Sequence, residues 1–190
     1  MKIYTLTLNP AYDVHAFAES FAPYHENLAQ VQSREAGGKG VNISRALNIG
    51  QIPNTAVIVL GKENGGDFKA SLQQSEIHCI LLEKEGRIRE NLTLHCADAP
   101  ETRISFTGFS VDDSILTEVM DVLKVDGDTV ITFTGRVASG IHMETVKTFL
   151  KELREKGARI VLDSKSFSLE DIYQVKPWLI KPNQEEISEY

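Results

Sequence analysis

The chain has 190 residues, of which 42% are hydrophobic and 25% charged, and its formal net charge at pH 7 is −7. This composition is typical of a globular protein with room for one full core, and the acidic balance argues against nucleic-acid or anionic-membrane partners. Cys79 and Cys96 are too few for a disulfide framework, so we expect a reducing compartment and a cytoplasmic protein. The five histidines do not lie close to one another or to a cysteine along the sequence, which argues against a zinc site.

The first half of the chain alternates predicted strands and helices around one irregular stretch. Residues 2–8 predict a strand that ends at Asn9-Pro10. Residues 14–36 show no helical period, which predicts an irregular or short-stranded excursion. Behind it, Ile43, Ala46 and Leu47 share one predicted buried helix face, and the helix stops at Gly50. The next predicted elements are a strand at 55–60, a helix at about 67–75 and a strand at 77–82.

The second half begins with a predicted hairpin and continues as a β-α-β pattern. Residues 91–97 and 102–107 alternate polar and apolar side chains around a turn at 98–101, and we expect this hairpin to join the earlier excursion in a small sheet. Beyond Gly108, helical patterns near 115–123 and 146–153 alternate with strands at 129–133 and 160–162, and a short helix precedes a strand at 178–180. The alternation predicts a mainly parallel sheet covered by helices on both faces.

The stretch Gly37-Gly38-Lys39-Gly40-Val41-Asn42, directly before the first predicted helix, is the first candidate site. Glycines let the backbone approach a ligand closely, and the unpaired N–H groups of a helix start favour an anion or an oxygen-rich molecule. The stretch is neither a P-loop, because Gly40 follows Lys39, nor a dinucleotide fingerprint, because Ile43 replaces the third glycine. The alternative is a tight strand-to-helix turn without a ligand.

Polar residues follow several predicted strands, and in open α/β sheets ligands bind at the carboxyl ends of the strands. The segments concerned are 9–13 with Asp13, 134–136 with Gly135 and Arg136, 163–165, and 181–186 with Asn183 and Glu186. Each has a plainer explanation. Asp13 suits a turn, and Asn183 with Glu186 suits a helix cap.

Four motifs taken together resemble the PfkB or ribokinase-like carbohydrate kinases. They are Thr7-Leu8-Asn9-Pro10-Ala11-Tyr12-Asp13, Gly37-Gly38-Lys39-Gly40-Val41-Asn42, Arg89-Glu90-Asn91, and Lys181-Pro182-Asn183-Gln184-Glu185-Glu186. The resemblance implies a ribokinase-like α/β fold whose segments at about 14–36 and 87–109 form a β-sheet lid. It also implies phosphorylation of a sugar phosphate by ATP and Mg²⁺, with fructose 1-phosphate converted to fructose 1,6-bisphosphate, and a homodimer through the lid sheet. Tagatose 6-phosphate is the alternative acceptor.

The resemblance also implies roles for individual residues, carried over position by position. The implied substrate-binding residues are Asp13, Gly37, Gly38, Lys39, Asn42, Arg89, Asn91 and Gly135. The implied nucleotide-binding residues are Lys181, Asn183 and Glu186, of which Asn183 and Glu186 are associated with Mg²⁺ through water. Asp13 would bind sugar hydroxyls, while Arg89, Asn91 and Lys39 would reach the phosphate already on the sugar.

The sequence departs from the family pattern in two places. The family usually carries a small-residue run such as Ser-Gly-Ser-Leu-Pro where this chain has Thr134-Gly135-Arg136-Val137-Ala138, so Arg136 brings a bulky cation toward the substrate. The family also continues to a Gly-Ala-Gly-Asp segment that supplies an anion hole and the catalytic base. No residue of this chain is assigned as that base. We therefore expect a single truncated domain at 1–190, and a non-catalytic sugar-phosphate-binding fragment is the alternative function.

Overall fold

The computed structural model describes residues 1–97 and 100–182, and a parallel sheet forms its centre. In these residues the sheet has six strands in the order β10-β9-β8-β1-β4-β5, and every neighbouring pair is parallel. The strands are β1 (Lys2–Thr7), β4 (Thr55–Gly61), β5 (Cys79–Lys84), β8 (Thr129–Thr134), β9 (Arg159–Asp163) and β10 (Leu179–Ile180). The predicted parallel sheet is confirmed.

Helices cover both faces of this sheet, as its inner strand β4 shows most directly. They are α1 (Lys39–Ile49), α2 (Gly65–Gln74), α3 (Ser114–Val122), α4 (Met143–Glu155) and α5 (Leu169–Val175). On β4, Val57 and Val59 join a core that includes buried residues of α3 and α4. Ala56 and Ile58 join another core with buried residues of α1 and α2. A strand buried on both faces needs the near-continuous apolar run found there.

A smaller sheet stands over the carboxyl edge of the main one. Its described strands have the order β3-β2-β6-β7. They are β2 (Ala11–Ala18), β3 (Gln30–Gly37), β6 (Arg89–Cys96) and β7 (Thr102–Ser105). The pairing is mixed, because β2 is parallel to β6 while the β2–β3 and β6–β7 pairs are antiparallel. The predicted hairpin corresponds to β6 and β7, although residues 98–99 of its turn lie outside the described part of the chain.

The small sheet changes the expected position of Asp13. The sequence placed this residue in the loop that ends the first strand, whereas it lies within β2, opposite Asn91 of β6. Only three residues, from Leu8 to Pro10, separate β1 from β2. The chain therefore passes almost directly from the main sheet into the small sheet.

The buried face of α1 also differs from the prediction. Ala46 is exposed, and the buried residues are Gly40, Val41 and Ser44. The first turns of α1 lie directly on β1, where a Cβ at Gly40 would come within 2.6 Å of the carbonyl oxygen of Leu6. The Ser44 hydroxyl forms a 2.7 Å hydrogen bond with the buried Thr5 hydroxyl. Close contact through small and polar residues therefore positions the start of this helix.

None of the helices in the described residues combines the length and the apolar character needed to cross a lipid bilayer.

Candidate functional site

A cavity of about 460 Å³ lies between the carboxyl edge of the main sheet and the small sheet. The predicted residues that line it are Asp13, Gly38, Lys39, Asn42, Arg89, Asn91 and Gly135. A larger cavity, of about 520 Å³, lies beside β3 and α2, but its Arg34 is already paired with Asp67 and Glu90. None of the predicted site residues lines that second cavity. The motifs therefore converge on the cavity between the sheets, which is called the inter-sheet cavity below.

A carboxylate held by two amides forms one wall of the inter-sheet cavity. Asn42 Nδ2 donates to Asp13 Oδ2 at 3.3 Å, and Asn91 Nδ2 donates to Asp13 Oδ1 at 3.1 Å. Gly37 does not line the cavity, but a Cβ at this position would overlap the Asp13 carboxylate. A carboxylate accepts about four hydrogen bonds, so this cluster retains acceptor capacity for ligand hydroxyl groups.

The start of α1 forms a second wall. Gly38 has φ +107°, which favours glycine, and its carbonyl accepts the Asn42 N–H at 2.9 Å. Lys39 follows, and its Nζ forms a 2.6 Å ion pair with Asp163 at the end of β9. The first N–H groups of a helix lack partners within the helix and carry the positive end of its dipole. The cavity wall at Gly38 and Lys39 therefore suits an anion or a hydroxyl oxygen.

Arg89 reaches the inter-sheet cavity from β6 with part of its guanidinium out of contact with water. Its NH1 donates to Asn91 Oδ1 at 3.0 Å and to the Phe106 carbonyl at 3.3 Å, and its buried Nε has no hydrogen-bond partner among the described residues. Burial lowers the pKa of Arg89 from its usual value, the nearby Arg136 lowers it further, and Asp13 opposes the shift. Burial and a like charge both destabilise the protonated guanidinium, so an anion bound here would stabilise it.

Buried oxygens at the strand ends complete the lining. Thr7 Oγ1, Asn9 Oδ1 and Thr134 Oγ1 line the inter-sheet cavity and have no hydrogen-bond partner among the described residues. A buried polar atom without a partner costs about 1–3 kcal/mol. The polar lining of the cavity, together with the Asp13 cluster and Arg89, fits a polyhydroxylated anion.

Several lining residues were not among the predicted site residues. They are Thr7, Asn9, Arg103, Ser105, Thr134, Arg136 and Lys165. Arg103 and Ser105 lie on β7 opposite Thr93 and Asn91, so only the register of the hairpin reveals that they face the cavity. Arg136 and Lys165 follow β8 and β9, and the polar composition of these strand ends was the available signal.

The predicted nucleotide residues are placed only in part. Lys181 is exposed after β10, where its N–H donates to the Leu162 carbonyl at 3.0 Å, and it does not line the inter-sheet cavity. Asn183 and Glu186 lie outside the described residues. Within the described part of the chain, no group of three or more His, Cys, Asp or Glu side chains could hold a metal ion.

Comparison with known proteins agrees with the motifs. The sequence pattern of the family described as "pfkB family carbohydrate kinase" matches residues 6–190. The chain is 29% identical over 189 residues to a 1-phosphofructokinase of Bacillus subtilis (strain 168), covering 98% of this chain and 61% of the relative. It is 30% identical over 188 residues to a 1-phosphofructokinase of Escherichia coli (strain K12), covering 98% of this chain and 60% of the relative.

A solved structure shares the fold. Phosphofructokinase-2 from Escherichia coli in complex with substrates and products superposes with a TM-score of 0.92 at 23% identity, over 100% of this chain and 62% of that protein. The chain thus spans about 60% of the length of the curated relatives it matches. The ribokinase-like fold is confirmed, and the family match extends over nearly all of the sequence. This chain belongs to the pfkB family of carbohydrate kinases.

Proposed function

We propose that this chain provides the acceptor site of a kinase that transfers a phosphoryl group from ATP to a sugar phosphate, converting fructose 1-phosphate to fructose 1,6-bisphosphate. One observation carries the proposal: the inter-sheet cavity combines a carboxylate–amide cluster with a part-buried arginine. Hydroxyl groups need a carboxylate or an amide, and phosphate needs cations and N–H donors. The names of the relatives from Bacillus subtilis and Escherichia coli favour fructose 1-phosphate.

In this proposal the two polar clusters orient the acceptor. Asp13 accepts hydrogen bonds from sugar hydroxyls, while the amides of Asn42 and Asn91 hold the carboxylate in place. Arg89 binds the phosphate, and Lys39 with the start of α1 adds positive charge at the second wall. Phosphoryl transfer depends mainly on positioning and on electrostatic stabilisation of the transferred group. Fixing the sugar by its hydroxyls and by its phosphate supplies the positioning.

ATP and Mg²⁺ belong to the same proposal. Lys181 carries an exposed ammonium group at the carboxyl edge of the main sheet, and such a group suits a nucleotide phosphate. Asn183 and Glu186 are proposed to contact magnesium through water, since Mg²⁺ usually retains several waters. The bound nucleotide supplies the phosphoryl group. Among the described residues, none is proposed as the base that accepts the proton of the attacking hydroxyl.

The small sheet is proposed to act as the lid and as the contact surface of a homodimer. Val31 on β3 is 60% exposed and Ile104 on β7 is 43% exposed. Val31 lies opposite Ala16 of β2, and Ile104 lies opposite Leu92 of β6. Because successive side chains of a strand point to opposite faces, these residues lie on the face of the small sheet away from Asp13, Asn91 and the cavity. Exposed apolar side chains on the two edge strands of a sheet favour a partner surface. Light scattering should give the mass of a dimer, and Ile104→Lys should yield monomers; a monomeric wild type would contradict this part of the proposal.

The acceptor and the reaction are tested together. Calorimetry with fructose 1-phosphate and with tagatose 6-phosphate measures binding, and an assay coupled to ADP release measures turnover with ATP and Mg²⁺. We expect tighter binding of fructose 1-phosphate, and ADP release that requires it. Binding without ADP release would support a non-catalytic sugar-phosphate-binding fragment, and preference for tagatose 6-phosphate would reassign the acceptor. Failure to bind either sugar phosphate would refute the acceptor site.

A further inference from the structure

The loop after β8 presents Arg136 to the inter-sheet cavity from a backbone that is held at several points. The Gly135 N–H donates to the Asp163 carbonyl at 2.9 Å, and the Val137 N–H donates to Ser166 Oγ at 3.2 Å. Two residues further on, the Ser139 carbonyl accepts the Val111 N–H and the Ser110 hydroxyl, both at 2.9 Å. Gly135 itself has φ +82°, which favours glycine. The position of the Arg136 backbone is therefore well determined.

The side chain of Arg136, in contrast, has no partner within the described residues. It is exposed, lines the inter-sheet cavity, and forms no hydrogen bond or ion pair with them. Two other cations of this cavity already form ion pairs: Lys39 pairs with Asp163, and Arg103 pairs with Glu101 at 2.5 Å. Arg89 likewise forms no salt bridge within the described part of the chain, and it is close enough to Arg136 for the two charges to interact.

We propose that Arg136 and Arg89 form a two-arginine clamp for the phosphate group of the acceptor, so that Arg136 is a further substrate-binding residue that sets the affinity for phosphorylated sugars. The inference rests on the proposed function, because the phosphate is that of the sugar phosphate. Arg89 approaches from β6 of the small sheet, and Arg136 approaches from the main sheet after β8. The two guanidinium groups therefore reach the cavity from separate sheets.

The chemistry of the pair favours a dianion over a neutral sugar. Each guanidinium can donate two parallel hydrogen bonds to phosphate oxygens. A phosphate between the two arginines would also relieve the repulsion between the like charges, which a hydroxyl group cannot do. The clamp therefore selects for a phosphorylated acceptor, while the Asp13 cluster contacts the sugar hydroxyls.

The test measures binding, so it does not depend on turnover. Fructose 1-phosphate and inorganic phosphate are titrated by calorimetry into the wild type, Arg136→Ser, Arg136→Lys and Arg87→Ser. Arg87 is the matched control, because it is exposed, lies two residues from Arg89 and does not line the inter-sheet cavity. Losing a charge-assisted bidentate contact should weaken both ligands by about 10- to 100-fold in Arg136→Ser. Arg136→Lys should be intermediate, and Arg87→Ser should stay within about twofold.

The outcomes separate the clamp from the function on which it rests. Wild-type affinity of Arg136→Ser for both ligands, with thermal unfolding unchanged, would overturn the clamp while leaving the acceptor site intact. Equal weakening by Arg87→Ser would also overturn it, since the effect would then reflect net charge alone. If the wild type binds inorganic phosphate through Arg136 but no sugar phosphate, the clamp stands and the proposed function fails. If the wild type binds neither ligand, both fail.

Discussion

Asp13 is the acidic side chain on which the polar contacts of the inter-sheet cavity converge. It accepts hydrogen bonds from Asn42 and Asn91, and Gly37 leaves room for its carboxylate. The three residues around Asp13 come from three elements: Asn42 from α1, Asn91 from β6 and Gly37 from the end of β3. Their motifs are far apart in sequence, and the resemblance to the kinase family grouped them before the structure was known, because each motif is recognisable by its own residues.

Replacing Asp13 by Asn tests the proposed role of this carboxylate in binding sugar hydroxyls. A hydrogen bond to a charged group contributes about 1.5–3 kcal/mol, so Asp13→Asn should weaken fructose 1-phosphate about 10- to 150-fold. Inorganic phosphate carries no sugar hydroxyls and should lose much less. Calorimetry measures both affinities. Asp121→Asn, an exposed change on α3, is the control and should bind like the wild type; equal affinities for Asp13→Asn and the control would contradict the role.

At the scale of elements, α1 shows where pattern-based prediction fails. Its apolar residues Ile43, Ala46 and Leu47 indicated one buried face, but Gly40, Val41 and Ser44 lie against the sheet. The facing strand β1 presents the hydroxyl of Thr5 at this contact, and Ser44 satisfies it. Hydrophobic periodicity cannot detect a helix that approaches closely through glycine and pairs its hydroxyls.

Two matched glycines test this close approach. Gly40 and Gly66 are each the second residue of a helix, α1 and α2 respectively, but a Cβ at Gly40 would meet Leu6, whereas one at Gly66 would have no neighbour within 4 Å. Gly40→Ala should lower the free energy of unfolding by about 1–3 kcal/mol through overpacking. Gly66→Ala should raise it by about 0.4–1 kcal/mol by restricting the unfolded chain. Urea unfolding measures both, and two changes of the same sign would contradict the packing.

The turn before β8 makes folding sensitive to acid. Asp126 accepts hydrogen bonds from Lys2, Thr129 and the Asp128 N–H, which lower its pKa from 3.8 to about 2. Because the pKa is lower in the folded state, this contribution to stability is complete above pH 3.8 and is lost as the pH falls through about 2.

The corresponding variant is Asp126→Asn, which cannot ionise. Its free energy of unfolding should lie below that of the wild type at about pH 5, and the gap should shrink as the pH approaches about 2. Urea unfolding at several pH values measures the gap. A gap that stays constant over the whole range would show that Asp126 does not titrate in this way.

The hairpin of β6 and β7 marks a second limit of prediction at this scale. Both strands were expected, and Arg89 and Asn91 were placed in the site from their motif. Arg103 and Ser105 were not, because they face the cavity only in the register that pairs Asn91 with Ser105. A shift by one residue would turn them to the other face of the sheet, and the alternation pattern does not determine the register.

Over the whole molecule, charge is distributed unevenly. The net charge of the chain is −7. Among the described residues that line the inter-sheet cavity, however, only Asp13 is acidic, and five are basic, namely Lys39, Arg89, Arg103, Arg136 and Lys165. An acidic exterior around a basic cavity disfavours large polyanions and favours small ones.

The overall fold was predictable from the sequence because β-α-β alternation has few topological solutions. The basic cavity was predictable only in part, since two of its walls come from different sheets.

The most direct test of the account is a nuclear magnetic resonance titration of the wild-type chain with fructose 1-phosphate. We predict that the side-chain amide signals of Asn42 and Asn91 and the Nε–H signal of Arg89 shift together and saturate, while unphosphorylated fructose shifts them far less. Arg34 and Arg45 both line the second cavity, beside β3 and α2. Absence of the predicted shifts, or shifts confined to these two arginines, would contradict the claim that the inter-sheet cavity binds a sugar phosphate.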